Sequence, residues 1–208
     1  MDIQWLAFVI GGYLSGSVLY AFLIPCLFTG IDIRAMSPDG NPGTANVFHV
    51  CGARIGILVA MMEFSKGFLP VAMALAVLDV DTLQYGFVPV ILAPVLGHMC
   101  SVLNHFHGGI GIAPTFGTLI AIFLESRLLI VVVAAYALTR LTGWFRENRS
   151  RTDFVFFTFL IFVLLFESHP VYRLAYVLVS LAILFRNYLQ RVLSPQPDDC
   201  PGSVVKEL

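Results

Sequence analysis

IQWLAFVIGGYLSGSVLYAFLIPCLF, Ile3 to Phe28, runs for 26 residues without a charged side chain. About 20 apolar residues in a helix cross the roughly 30 Å hydrocarbon core of a bilayer, so this run alone is long enough to span. The whole chain has the same character. Of its 208 residues 58% are apolar and 18 are Phe, more than a water-soluble domain of this size carries. Further apolar stretches follow at about Arg54 to Leu78, Leu83 to Leu103, Ile112 to Leu124, Leu128 to Phe145, Phe154 to Phe166 and Val171 to Leu193. The predicted fold is all-α, a polytopic integral membrane bundle of about seven transmembrane helices. Some stretches are short, which implies tilt or burial against neighbours.

Lys and Arg accumulate in loops on the cytoplasmic side of a membrane. In a seven-span arrangement Arg34, the cluster Arg146, Arg149 and Arg151, and Arg186, Arg191 and Lys206 fall on one side, against Arg127 and Arg173 on the other. That places the N-terminus outside and the C-terminus in the cytoplasm. The start, Met1-Asp2, lacks the basic flank and cleavage site of a secretory signal, so the first span is expected to stay attached. The basic excess serves topology and does not point to nucleic acid.

Cys26, Cys51, Cys100 and Cys200 show no C-x-x-C spacing, so neither a disulfide nor a zinc site is expected. Residues 1–193 read as a single membrane-embedded domain. Residues 194–208, with Pro195, Pro197, Asp198, Asp199 and Pro201, read as a flexible cytoplasmic tail.

Between the first two apolar runs lies a polar segment, Asp32 to Asn46. Gly40 and Gly43 permit positive φ, Pro38 and Pro42 fix φ, and Asn41 and Asn46 both donate and accept. Exposed backbone N–H groups beside Arg34 would make an anion pocket. An equally weighted reading is a Pro/Gly turn with Asn46 as the N-cap of the next helix. A second loop, Gly97 to Gly111, sets glycines before a helix starting near Ile112, where free N–H groups and the positive dipole end face outward. His105 and His107, one residue apart, are poorly spaced for ligands on one helix face, and no metal site is expected. Lys66 lies mid-helix with Glu63 three residues earlier, either as a structural pair or facing a cavity. Arg140 reads as snorkelling to the surface and His98 as an interhelical hydrogen-bonder.

In order, these blocks resemble the bacterial membrane-bound glycerol-3-phosphate acyltransferases that use acyl phosphate, the PlsY family. Gly16-Ser17 and Asp32-Ile33-Arg34 match its opening blocks, and Asp39-Gly-Asn-Pro-Gly-Thr-Ala-Asn46 fits most of its first motif. Lys66-Gly-Phe-Leu-Pro70, Gly97-His98 and Phe106-His-Gly-Gly-Ile-Gly111 follow. The resemblance covers about Gly16 to Gly117. It implies transfer of an acyl group from acyl phosphate to the 1-hydroxyl of glycerol 3-phosphate, with no metal, cofactor or covalent enzyme intermediate, at the cytoplasmic face of the cell membrane. It further implies Arg34 and Lys66 as cationic contacts, and Asn41 and Asn46 as shapers of the first loop. Gly40, Gly43, Gly108, Gly109, Gly111 and Arg186 become phosphate-binding positions, and His98 supports the second loop. The acyl chain would lie between apolar helices.

The chain departs from the pattern at three places. Asp39 stands where the family has Ser, Ile110 replaces a Lys between the second-loop glycines, and Phe185-Arg-Asn-Tyr188 keeps only Arg186 of a closing His-Arg-x-Asn segment. Losing a charge-assisted contact typically costs about 1.5 to 3 kcal/mol, so weak glycerol 3-phosphate binding, or a related acceptor, is expected. Two other readings stay open: a catalytically impaired relative that binds lipid or a partner, and a small transporter, against which the lack of a clear internal repeat counts.

Overall fold

A computed structural model describes residues 3–37, 40–145 and 147–193. Asp39, Arg146, Cys200, Lys206 and the tail lie outside these residues.

The first apolar run is broken. Helix α1 (Ile3–Ser17) stops at Val18–Leu19 and α2 (Tyr20–Thr29) restarts at an angle of 41°, where the sequence predicts one helix. Glycine closes α2, because Gly30 at φ 70° returns its N–H to the Cys26 carbonyl. A short turn of helix, α3 (Ile33–Met36), is capped by the Asp32 carboxylate. Helix α4 (Thr44–Val77) starts ten residues before the predicted run and is kinked at Gly52, φ 78°. The region from α5 (Val80–Leu83) through α6 (Val88–Met99) is joined by a tight 3₁₀ turn. Then come α7 (Ile112–Ala121), α8 (Leu128–Thr142), α9 (Asn148–Phe166) and α10 (Pro170–Leu193). Pro170 opens α10 at the position where a missing N–H costs nothing.

Thr44–Val77 and the 25-residue stretch Val80–Asn104 are long and apolar enough to cross a bilayer, and α1 with α2 makes a third such unit when the bent pair counts as one. Helices α7 and α8 are apolar but only 10 and 15 residues long. The outward surface is apolar, with Leu6, Ile10, Met61, Met73, Leu164 and Leu165 exposed, as expected of a surface solvated by lipid. Inside, one core joins Ile91 and Val95 of α6 to Leu119, Val132, Phe159 and Tyr176 of the later helices. A smaller one packs Ala21, Ile24 and Ile33 on Val47 and Val59 of α4.

Two crossings set the architecture. At α1–α6, a Cβ on Gly16 would collide with the Pro94 carbonyl, and one on Gly97 with the Tyr13 carbonyl. At α4–α7, Gly67 and Gly117 meet the carbonyls of Pro114 and Phe64 in the same way. Only glycine lets backbones approach this closely. Several buried hydroxyls are satisfied within the bundle: Ser180 Oγ donates to Tyr176 O, Tyr176 OH to Thr118 Oγ1 and Ser101 Oγ to Ser17 O. At the end remote from the arginine cluster, Glu167 accepts from Ser126 Oγ and from the His169 N–H, tying the α7–α8 and α9–α10 connections together.

Candidate active site

The break between α1 and α2 leaves backbone groups unpaired inside an apolar bundle, a costly arrangement unless side chains complete them. Glu63 and Lys66 do so from α4. Glu63 Oε1 accepts the Ala21 N–H at 3.1 Å, and Lys66 Nζ donates to the Val18 carbonyl at 2.7 Å. The two side chains pair at 2.7 Å, each 1% exposed. Lys66 Nζ also lies 2.7 Å from His98 Nδ1. Two of the ammonium's donors thus go to Val18 and His98, and its charge is paired with Glu63. With Lys66 donating, Nδ1 is the acceptor and the imidazole N–H is on Nε2, the side that abuts Gly109.

That contact positions the second loop. His98 O accepts the Gly109 N–H at 3.2 Å, and Cβ atoms on Gly108 or Gly109 would strike His98 itself. From α10, Arg186 Nη2 donates to Gly108 O at 2.9 Å. Gly111, at φ 97°, then turns the chain into α7 as its N-cap, a conformation that favours glycine.

The first loop is fastened to itself. Asn46 Nδ2 donates to Asn41 O at 2.9 Å, and the Gly43 N–H to the same carbonyl at 2.8 Å. Gly43, not Asn46, is the N-cap of α4; Asn46 is the third helical residue and its side chain reaches back over the turn. Arg34 Nε and Nη2 donate to the Asp32 carboxylate at 3.0 and 2.8 Å, and the guanidinium lies 3.9 Å from the Phe22 ring centre. This pairing holds the Asp32 carboxyl below its ordinary range and raises Arg34 further.

Two cavities border these loops. One, about 420 Å³, lies between the first loop, Glu63 and His98, Ile110 and Gly111 of the second loop, and Arg149 and Arg151 of α9, with Phe48, Phe64 and Phe116 as apolar walls. The other, about 560 Å³, is bordered by Arg34, Gly40, Gly108 and Arg186. Pro42 touches both. The fold therefore brings Arg34, Gly40, Asn41, Gly43, Asn46, His98, Gly108, Gly109, Gly111 and Arg186 to one end of the bundle. Lys66 lines neither cavity. Ile110 is 6% exposed and packs in the main core.

Sequence reasoning used Arg149 and Arg151 for topology alone and passed over Glu63 as more than a helix-face partner. Three basic residues in Arg146-Glu-Asn-Arg-Ser-Arg151, between two apolar runs, were the available signal.

Fold and site define an all-helical integral membrane protein with two glycine-bearing loops and several arginines gathered at one end. The chain belongs to the glycerol-3-phosphate acyltransferase family, whose sequence profile, described as Glycerol-3-phosphate acyltransferase, matches residues 6–194. The glycerol-3-phosphate acyltransferase of Myxococcus xanthus is 36% identical over 140 residues, covering 66% of this chain and 71% of that protein. That of Lawsonia intracellularis is 31% identical over 140 residues, 67% of each. Crystal structures of PlsY (YgiH), described as an integral membrane glycerol 3-phosphate acyltransferase, superpose with TM-scores of 0.76 for the lysophosphatidic acid form and 0.77 for the glycerol 3-phosphate form. Identities are 26% and 27%, and each comparison covers 91% of this chain and 92% of the other.

Proposed function

We propose that this chain is a membrane acyltransferase of phospholipid synthesis that moves a fatty acyl group from acyl phosphate to the 1-hydroxyl of glycerol 3-phosphate, giving lysophosphatidic acid and inorganic phosphate. The observation that carries the reading is the convergence of both glycine-bearing loops and the α7 N-terminus on an apolar cavity with a polar one beside it. In this reading the acyl chain occupies the apolar cavity, with its phosphate near the loops. The acceptor enters past Arg34 and Arg186, where Gly40, Gly43, Gly108, Gly109 and Gly111 add little steric bulk and Gly108 and Gly111 offer backbone N–H groups, those of Gly40, Gly43 and Gly109 being bonded within the loops. The acceptor hydroxyl oxygen attacks the acyl carbonyl carbon, the acyl–phosphate C–O bond breaks, and the hydroxyl proton leaves with the phosphate. Holding two reactants in attacking geometry is enough to account for about 7 to 11 kcal/mol of barrier reduction in favourable cases. Lys66 enters as a positioning residue, because its hydrogen bonds and its ion pair are made inside the helix packing.

The topology completes the proposal. Seven spans, with α7 and α8 short and supported by neighbours, put the N-terminus outside and the C-terminus and site at the cytoplasmic face of the cell membrane. Arg34, Arg149, Arg151, Arg186 and Arg191 lie at the site end, Arg127 and Arg173 at the other.

Purified protein incubated with palmitoyl phosphate and labelled glycerol 3-phosphate is expected to form labelled lysophosphatidic acid. No product above the enzyme-free background, with glycerol 3-phosphate or another polyol phosphate, overturns the reading in favour of a lipid-binding relative.

A further inference from the structure

We infer that residues 41–51, the first loop and the opening turns of α4, form a strap hinged at Gly40 and Gly52 that swings to open the apolar cavity to the acyl donor, with Phe48 as its latch. The inference rests on the acyl-phosphate reading above and adds to it the way the donor gets in.

The backbone of the two hinges is the first ground. Helix α4 leaves helical geometry at Gly52, where φ is 78° and ψ 178°, a region that essentially only glycine occupies and that concentrates at switch segments. Gly40, at φ 63°, marks the other end of the strap. Neither glycine is there to make room for a neighbour. An added Cβ meets nothing within 4 Å at Gly52, and at Gly40 only the Arg34 carbonyl oxygen at 4.0 Å. Both are therefore held for backbone conformation, with open space where a side chain would stand.

The second ground is how the strap is built and attached. The N–H groups of Asn46 and Val47 donate to Gly43 O, and the Gly43 N–H and Asn46 Nδ2 donate to Asn41 O, bonds that travel with the strap as one body. Of its residues only Pro42, Asn46 and Val47 are buried. Val47, with Val50 and Cys51 beside it, packs in the small core, and no residue of the strap belongs to the main core. Segments with few buried apolar contacts open at the lowest free-energy cost.

Which wall of the 420 Å³ cavity can yield is the third. Asn41 to Asn46 and Phe48 border it from the strap. The facing rings are interlocked: Phe64 of α4 lies against Phe116 of α7, and Phe116 against Tyr136 of α8, each pair 5.9 Å between centres. Phe116 and Tyr136 also pack on the main core, so the strap is the side that can move. Phe48 both borders the cavity and is exposed, which puts it at the mouth. Its ring covers Gly56 so closely that a Cβ there would strike it, so the latch seats an aromatic ring on bare helix backbone. Rotation at Gly52 lifts that ring and uncovers Ala60 and Phe64, which border the cavity and follow Gly56 at four-residue steps on one face of α4. An acyl chain then has an apolar track into the cavity.

The test has two arms, both on the full chain in detergent and in a background carrying Cys26→Ser, Cys51→Ser, Cys100→Ser and Cys200→Ser. In the first, Phe48→Cys with Gly56→Cys puts two thiols at the seat of the latch, within a disulfide's reach because a Cβ at residue 56 falls against Phe48 Cγ. Oxidation is expected to lower the turnover of palmitoyl phosphate and glycerol 3-phosphate by about tenfold or more, and reduction to restore it. A fully cross-linked protein that works at the reduced protein's rate overturns the inference and leaves the acyltransferase reading standing. The second arm needs neither turnover nor those two substitutions. Spin labels on His49→Cys and Met73→Cys, both exposed positions, report the distance from the strap to the body of α4. Hexadecyl phosphate, a non-reactive single-chain probe, is expected to shift the population between a longer and a shorter distance. A distance distribution unchanged while hexadecyl phosphate raises the thermal midpoint overturns the strap. Wild type without acyltransferase activity but with a distance that responds to hexadecyl phosphate sinks the reaction and retains the strap.

Discussion

Lys66 and Glu63 show how a buried pair can serve a site without touching substrate. Lys66→Ala leaves the Glu63 carboxylate buried without its cation and the Val18 carbonyl without its donor, and breaking such a pair costs about 3 to 5 kcal/mol. The expected outcome is a large fall in the thermal midpoint in detergent together with lost activity; a midpoint within error of wild type with kcat abolished would make Lys66 a direct participant. Ile110→Lys is a complementary probe, because it puts a cation at a buried position bordering the donor cavity. It is expected to lower the KM for a phosphorylated substrate if the side chain reaches the cavity, and to depress the midpoint if it stays in the core, and the two assays together separate these outcomes. The Asp32–Arg34 pair gives a pH signature outside the spans. Asp32 is held below its ordinary pKa of 3.8 by the Arg34 hydrogen bonds, so its stabilisation is present at neutral pH and lost as pH falls below that value. The pair is partly exposed and contributes less than about 1 kcal/mol. The midpoint difference between wild type and Asp32→Asn should therefore be small, constant near neutrality, and vanish in acid.

At the scale of elements, the glycine crossings are the most sensitive joints. Gly67→Leu drives a side chain into the Pro114 carbonyl, and because the obstacle is backbone, α4 and α7 must separate. Overpacking of this kind costs about 1 to 3 kcal/mol or more, and since Gly111 and the start of α7 move with it, activity is expected to fall faster than stability. Gly11→Ala is the control. A Cβ on Gly11 meets nothing within 4 Å, so that variant should match wild type within about 0.5 kcal/mol by thermal unfolding. The broken first helix belongs to this scale too. No proline lies between Ile3 and Leu19, and Ser15-Gly16-Ser17 just before the break are weak helix formers, so local preference permits a break there without requiring one. The break exists because Glu63 and Lys66, 42 and 48 residues away from the groups they complete, make it affordable.

For the whole molecule, the arginines sort toward one end and the two loops meet there, so orientation in the membrane and placement of the site are one question. Reporters at the C-terminus and in the Glu125-Ser126-Arg127 turn are expected on opposite sides of the membrane, the C-terminus in the cytoplasm; the same side for both would end the seven-span topology. Much of this was legible in the chain. Hydropathy located the apolar stretches because the bilayer reads composition and length, and the ordered glycine, asparagine and histidine blocks identified the loops because a turn or close approach admits few residue types. Hidden from view were features that depend on contacts between distant segments. These include the break in the first helix, the engagement of Lys66 by Val18, Glu63 and His98, the choice of Gly43 over Asn46 as N-cap, and the gathering of Arg149 and Arg151 beside the first loop. The sequence by itself determined a helical membrane protein of the acyltransferase family, since residue type decides what a bilayer accepts and which turns can form. Only the tertiary structure decided which cations border a cavity and which are consumed in holding the helices, because hydrogen bonds and charge pairing depend on where the folded chain brings each group.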